Sequence, residues 1–437
     1  MKNVLAIFCF IINGLLFAQE AKTFTEKEVI DAVLENNLSL KINEKDALEK
    51  QAQYRQSNAA FLPQIQVSHD FYRTNNPVFS FSAKLNQAVF TQADFDVARL
   101  NNPDGISNFT TTVQVQQPLL NIDQLIQRRS IKYAKQAQEL KNQFKTDALV
   151  VKTKSVFMQL KLAYASLNVV KNAKKTAQEG YDMTKDLYEN GYLDQSDLLK
   201  AQVRLSTVEN QLEAAHNGIS NLSDQLNFLM QNEDAQHIQP KDSLEIISLF
   251  EQQDQSEKLS VANTADVQAM EKKQESYEAL LRSKKYKFLP KLNAFGNIQY
   301  FDDQVFQTGN DTYFFGASLQ WDLFKGYLNI GKVEEAKAKS ERAQLEYQQY
   351  VKDKKKNIKK VLRAIDLAES KIERNKTAKE QAQESLRIIK NRYDEGLEKT
   401  ADLLRAQSLS AEKQLNYLQS IYEYNYNLLY YQLLTQK

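Results

Sequence analysis

The 437-residue chain carries 57 basic and 55 acidic side chains, which excludes the strongly basic surface of a nucleic-acid binder. With only 11 glycines and 6 prolines beside abundant Ala, Gln, Lys, Glu and Leu, it reads as long helices and not as a loop-rich mixed domain. Its three histidines, His69, His216 and His237, are scattered, and neither a nucleophile motif nor a phosphate-cradling glycine loop occurs, so no catalytic residue, metal or cofactor is expected.

In chain order, Lys2, the apolar run Val4 to Phe17 and Ala18 read as a secretory signal peptide over residues 1–19. The only cysteine, Cys9, falls inside it, so the exported chain is expected to form no disulfide, as suits a Gram-negative envelope protein. Apolar positions at helical spacing (Val29, Ile30, Val33, Leu34, Leu38, Ile42) predict a helix over about 26–60 that stops before Pro63. Period-two alternation then predicts strands after Pro63 (Ile65, Val67, Phe71) and over Phe109, Val113 and Val115, with Asn75 to Gly105 between them. A long helix follows over 123–187, then a second over 197–231, with Ser196 or Asp197 as its cap.

A polar stretch with Pro240 spans 232–260, and helical periodicity resumes over 261–288. A second strand pair follows: Leu292, Ala294, Ile298 and Tyr300, then Tyr313, Phe315, Ala317, Leu319 and Trp321, with Asn, Gln, Ser and Thr on the other face. The last two helices are expected over 328–393 and 402–434, and the lysines of 352–360 read as a solvated face. At 1.5 Å per residue each long helix reaches roughly 95 Å, and each short one about half of that.

The chain repeats itself. YENGYLDQSDLLKAQ (188–202) returns as YDEGLEKTADLLRAQ (393–407), an offset of 205 from Gly191 to Gly396, close to half the chain. The domain reading is therefore a signal at 1–19, a first repeat at 20–231, a linker at 232–260 and a second repeat at 261–437. The four expected strands cannot close a membrane barrel alone, because an open edge in lipid leaves backbone groups unpaired. Closure needs further copies: two would bring eight strands and three twelve.

The duplicated G-x5-D-L-L-x-A-Q motif, the Phe61-Leu62-Pro63 and Phe288-Leu289-Pro290 leads into the strand pairs, and the Pro118-Leu119-Leu120 and Asp322-Leu323-Phe324 exits resemble the TolC family of outer-membrane efflux proteins. The resemblance implies a mainly α fold with a small β part: antiparallel helical hairpins form an α-barrel, and four strands per chain contribute to a homotrimeric twelve-stranded outer-membrane β-barrel. It implies a passive exit duct of a tripartite efflux or type I secretion system, reaching across the periplasm. Its partners would be outer-membrane lipid, a periplasmic adaptor and an inner-membrane pump of the RND, ABC or MFS type. A periplasmic coiled-coil tether without a pore is the other reading. At the helix turns, Gly191 and Gly396 are the expected pivots. By resemblance Asp402, Asp197 and Tyr393 are gate candidates; Arg405 and Lys200 stand where the family can place a second acidic ring, and Glu398 where it has an arginine. Asp402 and Arg405, three apart on one helix face, are expected to form alternating charges that narrow the tip or pair across it. Ala201 and Ala406 are the expected small residues of an adaptor-docking groove.

Overall fold

The computed structural model describes residues 22–233, 237–247 and 261–436. The expected signal peptide, 1–19, and most of the expected linker lie outside the described residues. The order of elements is β1 (Lys22–Phe24), α1 (Glu26–Asn36), α2 (Leu38–Gln56), β2 (Gln64–Thr74), α3 (Pro77–Asn86), α4 (Val97–Asn101), β3 (Ile106–Leu120), α5 (Ile122–Glu189), α6 (Gln195–Met230), β4 (Ile238–Pro240), α7 (Ala265–Tyr286), β5 (Lys291–Asp302), β6 (Asn310–Gln320), α8 (Leu328–Asp394) and α9 (Thr400–Thr435). The chain divides into two units: one holds residues up to Asn43, Asn142–Thr264 and those from Lys352; the other holds Glu44–Lys141 and Ala265–Val351.

The first unit is built on apolar positions of α1, α5 and α6. Val29 and Val33 pack with Val156, Phe157, Leu160 and Leu167, and with Ile219, Leu226, Leu229 and Met230. Helix α1 starts at a capping box: the Glu28 N–H donates to Thr25 Oγ1 at 3.2 Å, and the Thr25 N–H donates to Glu28 Oε2 at 2.7 Å. The helix expected over 26–60 breaks at Asn37, whose side chain donates to the Leu229 carbonyl at 2.8 Å and accepts the Ser39 N–H at 2.9 Å. A buried amide that bonds both chain directions competes with the helix, so this break is a tertiary decision.

Two short strands escape the periodicity altogether. β1 and β4 pair in parallel, Lys22 with Ile238 and Phe24 with Pro240. Ile238 is fully buried, and its N–H donates to Ser223 Oγ at 3.2 Å. The buried Asn425 of α9 clamps the following segment: it donates to the Glu245 carbonyl at 2.7 Å and accepts the Ile247 N–H at 3.0 Å. The lysine-rich run is not wholly a solvated face, because Lys354 is buried and its Nζ donates to Thr264 Oγ1 at 2.7 Å.

The second unit holds a four-stranded antiparallel sheet in the order β2-β3-β5-β6. Register puts Val67, Val113, Ile298 and Tyr313 in one row, and Ile65, Val115, Gly296 and Phe315 in the next. This apolar face is bare: Val67 is 66% exposed, Tyr313 75% and Phe315 76%. The sheet is therefore not covered by the chain's own helices, and β2 and β6 are both open edges. At its foot, both strand pairs are tied to the residue two before a proline. Gln117 donates to the Phe61 carbonyl at 2.8 Å, and Trp321 Nε1 to the Phe288 carbonyl at 2.9 Å. Register makes these two donors equivalent in the repeat, each one step beyond the pairs Gln64 with Gln116 and Lys291 with Gln320.

The segment from Asn75 to Gly105, between β2 and β3, is folded. Asn76 caps α3 by accepting the Val78 N–H at 3.1 Å, and Lys84 pairs with Asp94 at 2.7 Å. Gln87 donates to the Ser107 carbonyl and to Asn108 Oδ1, both at 2.9 Å, pinning this cap to the strand end.

Candidate functional site at the helix turns

Both copies of the repeated motif make the same backbone turn. Gly191 and Gly396 have φ of +79° and +73°, a region that favours glycine. In each, two bonds close the preceding helix. The Gly191 N–H donates to Tyr188 O at 3.0 Å and the Tyr192 N–H to Leu187 O at 2.9 Å; the Gly396 N–H donates to Tyr393 O at 2.9 Å and the Leu397 N–H to Arg392 O at 2.8 Å. This is the Schellman arrangement at both glycines. No atom lies within 4 Å of a Cβ added at either glycine, so substitution meets strain and not a clash. Gly396→Val is expected to destabilise the turn by about 1–2 kcal/mol, with Gly396→Asn much milder. Trypsin cutting beside Lys399 measures this: equal rates in the two variants would show that the positive φ is not what matters.

The caps differ from expectation. Asp194, and neither Ser196 nor Asp197, caps α6, with its Oδ1 accepting the Asp197 N–H at 3.1 Å. Hydrogen bonds from the Ser196 hydroxyl and the Asp197 N–H hold the Asp194 carboxyl below its ordinary range. Its stabilising effect is thus present above the ordinary carboxylate pKa and is lost as pH falls through the lowered one. Asp197 and Asp402 both sit in the first helical turn, where the dipole favours a carboxylate, but α9 has Lys399 at its cap with no side-chain bond. Lys200 Nζ meets Asp197 Oδ1 at 3.1 Å on the surface. Asp402 and Arg405 make no ion pair with each other among the described residues; Arg405 is exposed and Asp402 half-buried.

Around Tyr393 the two turns diverge. Its ring is 3% exposed, and its hydroxyl lies 3.0 Å from Thr184 Oγ1 of α5 and 3.1 Å from Thr400 Oγ1 of α9. Thr184 spends its own proton on the Gly180 carbonyl at 2.7 Å, which sets the direction of the chain: Thr400 donates to Tyr393, Tyr393 to Thr184, and Thr184 to Gly180. One phenol thus joins three helices. Nearby, Gln407 donates to the Thr176 carbonyl at 3.3 Å, and Gly180 makes room for it, since a Cβ there would lie 3.1 Å from Gln407 Nε2. Arg392 Nε donates to Glu398 Oε2 at 2.9 Å and Lys390 pairs with Glu179 at 2.8 Å.

The first turn has no such network. Tyr188, the counterpart of Tyr393, is 37% exposed, because Ile389 stands opposite to Thr184 in the repeat and Gln195 replaces Thr400. Tyr192, Leu199 and Val203 are also exposed there. Ala201 and Ala406 are both buried in helix packing, so neither offers its side chain to a partner directly. The three histidines lie on β2, on α6 and just before β4; His69 stacks on Phe306 at 4.4 Å.

The sequence profile of the outer membrane efflux proteins matches residues 29–230 and 258–429, in two stretches that cover most of the chain. The chain belongs to the outer membrane efflux protein family. Solved structures show the same fold at low identity. CusC, whose structures follow folding and transmembrane channel formation, is 16% identical with a TM-score of 0.80 over 94% of this chain and 92% of its own. The Campylobacter jejuni outer membrane channel CmeC is 18% identical, with a TM-score of 0.81 over 94% and 85%. The Vibrio cholerae outer membrane protein VceC is 19% identical, with a TM-score of 0.79 over 93% and 95%. No curated protein sequence matches. The family match supports an efflux channel, and the pore-less tether is not favoured. Among the described residues no helix is long and apolar enough to cross a membrane.

Tyr393 and the two glycines carry a signal in the repeated motif; Thr184, Gln407 and the Arg392 to Glu398 pair carry none, and Thr400 only its mismatch with Gln195 in the repeat.

Proposed function

We propose that three copies of this chain close one twelve-stranded barrel in the outer membrane, continued across the periplasm by their helices as a passive exit duct. The observation that carries this reading is the sheet: both edges are open and one face is bare and apolar, an arrangement tolerable in lipid only when further copies pair the edges. The duct has no motif for harnessing ATP, so an inner-membrane pump of the RND, ABC or MFS type, coupled through a periplasmic adaptor, supplies the drive. The helix turns form the periplasmic gate, with Tyr393 as the tie and Asp402, Arg405, Asp197 and Lys200 as the charges that solutes meet. Gly191 and Gly396 shape the docking turns for the adaptor, with the exposed Tyr188, Tyr192, Leu199 and Val203 as its contact surface and Ala201 and Ala406 as the packing beneath.

The test couples mass to current. Detergent-extracted protein is expected to have three times the chain mass and to open cation-biased channels in planar bilayers. Asp402→Asn should weaken that bias, and Arg405→Ser should strengthen it. A monomer without conductance sinks the duct; an ion preference indifferent to both substitutions removes these charges from the gate.

A further inference from the structure

The polar face of the sheet is not uniformly polar. The row of Gln66, Gln114 and Asn297 ends on β6 in Phe314, and the row of Gln64 and Gln116 continues on β5 in Phe295. The alternation of Asp70, Lys291 and the amide and hydroxyl side chains on this face passes over both rings. They are 5.6 Å apart and tilted by 35°, a favourable offset geometry. Register sets Gly316 beside Phe295, and a Cβ there would lie 3.0 Å from Phe295 Cζ, so glycine lets the ring lie across β6. Phe314 stays 63% exposed. The opposite face already holds Ile298, Phe315 and Leu319 for lipid, and these two rings take no part in it.

Charge on this face is one-sided. Along the four strands it carries one amine, Lys291, and one carboxylate, Asp70. Lys291 is neutralised by Asp123 at 2.9 Å, whereas Asp70 accepts only the Ser68 hydroxyl at 3.1 Å and has no cationic partner among the described residues. The faces of the two phenylalanines add the negative side of their quadrupoles.

We propose that Phe295 and Phe314 form a stacking site inside the barrel for planar aromatic cations on their way out. This rests on the duct reading above, in which the polar face lines the lumen. A third ring completes the offset stack, its charge is favoured by the ring faces, and the amides of Gln116 and Asn297 border it. Such a site slows a flat cation without trapping it, whereas a bulky aliphatic cation of equal charge finds only a wet wall.

The test is ethidium binding, read by fluorescence anisotropy with the full-length protein in lipid nanodiscs and empty nanodiscs as the blank. Phe314→Ser is expected to weaken binding about tenfold, Phe295→Ser similarly, and Phe314→Tyr to retain it. Tetrapropylammonium should fail to compete at concentrations where a second planar cation does. Because Phe314 is largely exposed, its replacement spares the packing of the sheet. Equal affinity in wild type and Phe314→Ser, or equal competition by tetrapropylammonium, overturns the site. Ion current recorded from the same preparations separates the two readings: ring-dependent binding without any current counts against the duct and leaves the site standing.

Discussion

Tyr393→Phe is expected to raise the fraction of time that the channel conducts by roughly tenfold, with an upper range near a hundredfold. The phenol is buried and is the middle of a one-way chain from Thr400 to Gly180, so its loss removes two hydrogen bonds at once. Thr400 keeps a proton with nowhere to go, and Thr184 keeps a lone pair that nothing fills, in a site closed to water. Orphaning such groups costs about 1–3 kcal/mol, and each 1.4 kcal/mol is about tenfold in the opening equilibrium. Tyr188→Phe is the control: its side chain is exposed, so water replaces whatever it loses and little should change. Breaking the Arg392 to Glu398 pair should also matter little, because exposed ion pairs contribute about 0–1 kcal/mol. Single-channel recordings decide the matter, and a Tyr393→Phe channel with wild-type open time would show that this chain of hydroxyls does not hold the gate.

Phe157→Ala is expected to be the most damaging single truncation in the first unit, at about 3–5 kcal/mol. Phe157 is 0% exposed and belongs to the cluster of Val29, Val33, Val156 and Leu160, where α1, α5 and α6 meet. A helix pair cannot collapse into the void without moving that cluster, so the lost transfer energy is joined by a cavity term. Phe157→Leu refills much of the space and should cost less than half as much. Thermal unfolding of the purified protein measures both; similar midpoints for the two variants would mean that the core relaxes freely around position 157.

The long-range plan of this protein was legible in its sequence because it is written in local terms. Helices α5 and α8 follow from apolar spacing uninterrupted by proline, the strands from alternation after Pro63 and Pro290, and the turns from glycines whose positive φ the backbone itself demands. Duplication then exposed the symmetry, and with it the family. What local terms do not contain is which of two equivalent residues ends up inside. Tyr188 and Tyr393 occupy the same place in the repeat, yet only the second is buried, because its partners Thr184 and Thr400 come from other helices. For the same reason β1 and β4 were invisible: strands of three residues have no readable period, and they exist through pairing across more than 200 positions and the burial of Ile238. The break at Asn37 depends on the Leu229 carbonyl, and the meeting of Phe295 and Phe314 on Gly316 depends on register. The long helices, the four strands of the sheet, their order and the class of channel could be read along the chain, since these rest on periodicity, turn chemistry and repetition. Only the tertiary structure decided which tyrosine ties the helices, which carboxylate caps, and where two rings meet on a polar wall. Those outcomes are set by contacts between distant segments, and burial makes each such contact energetically decisive.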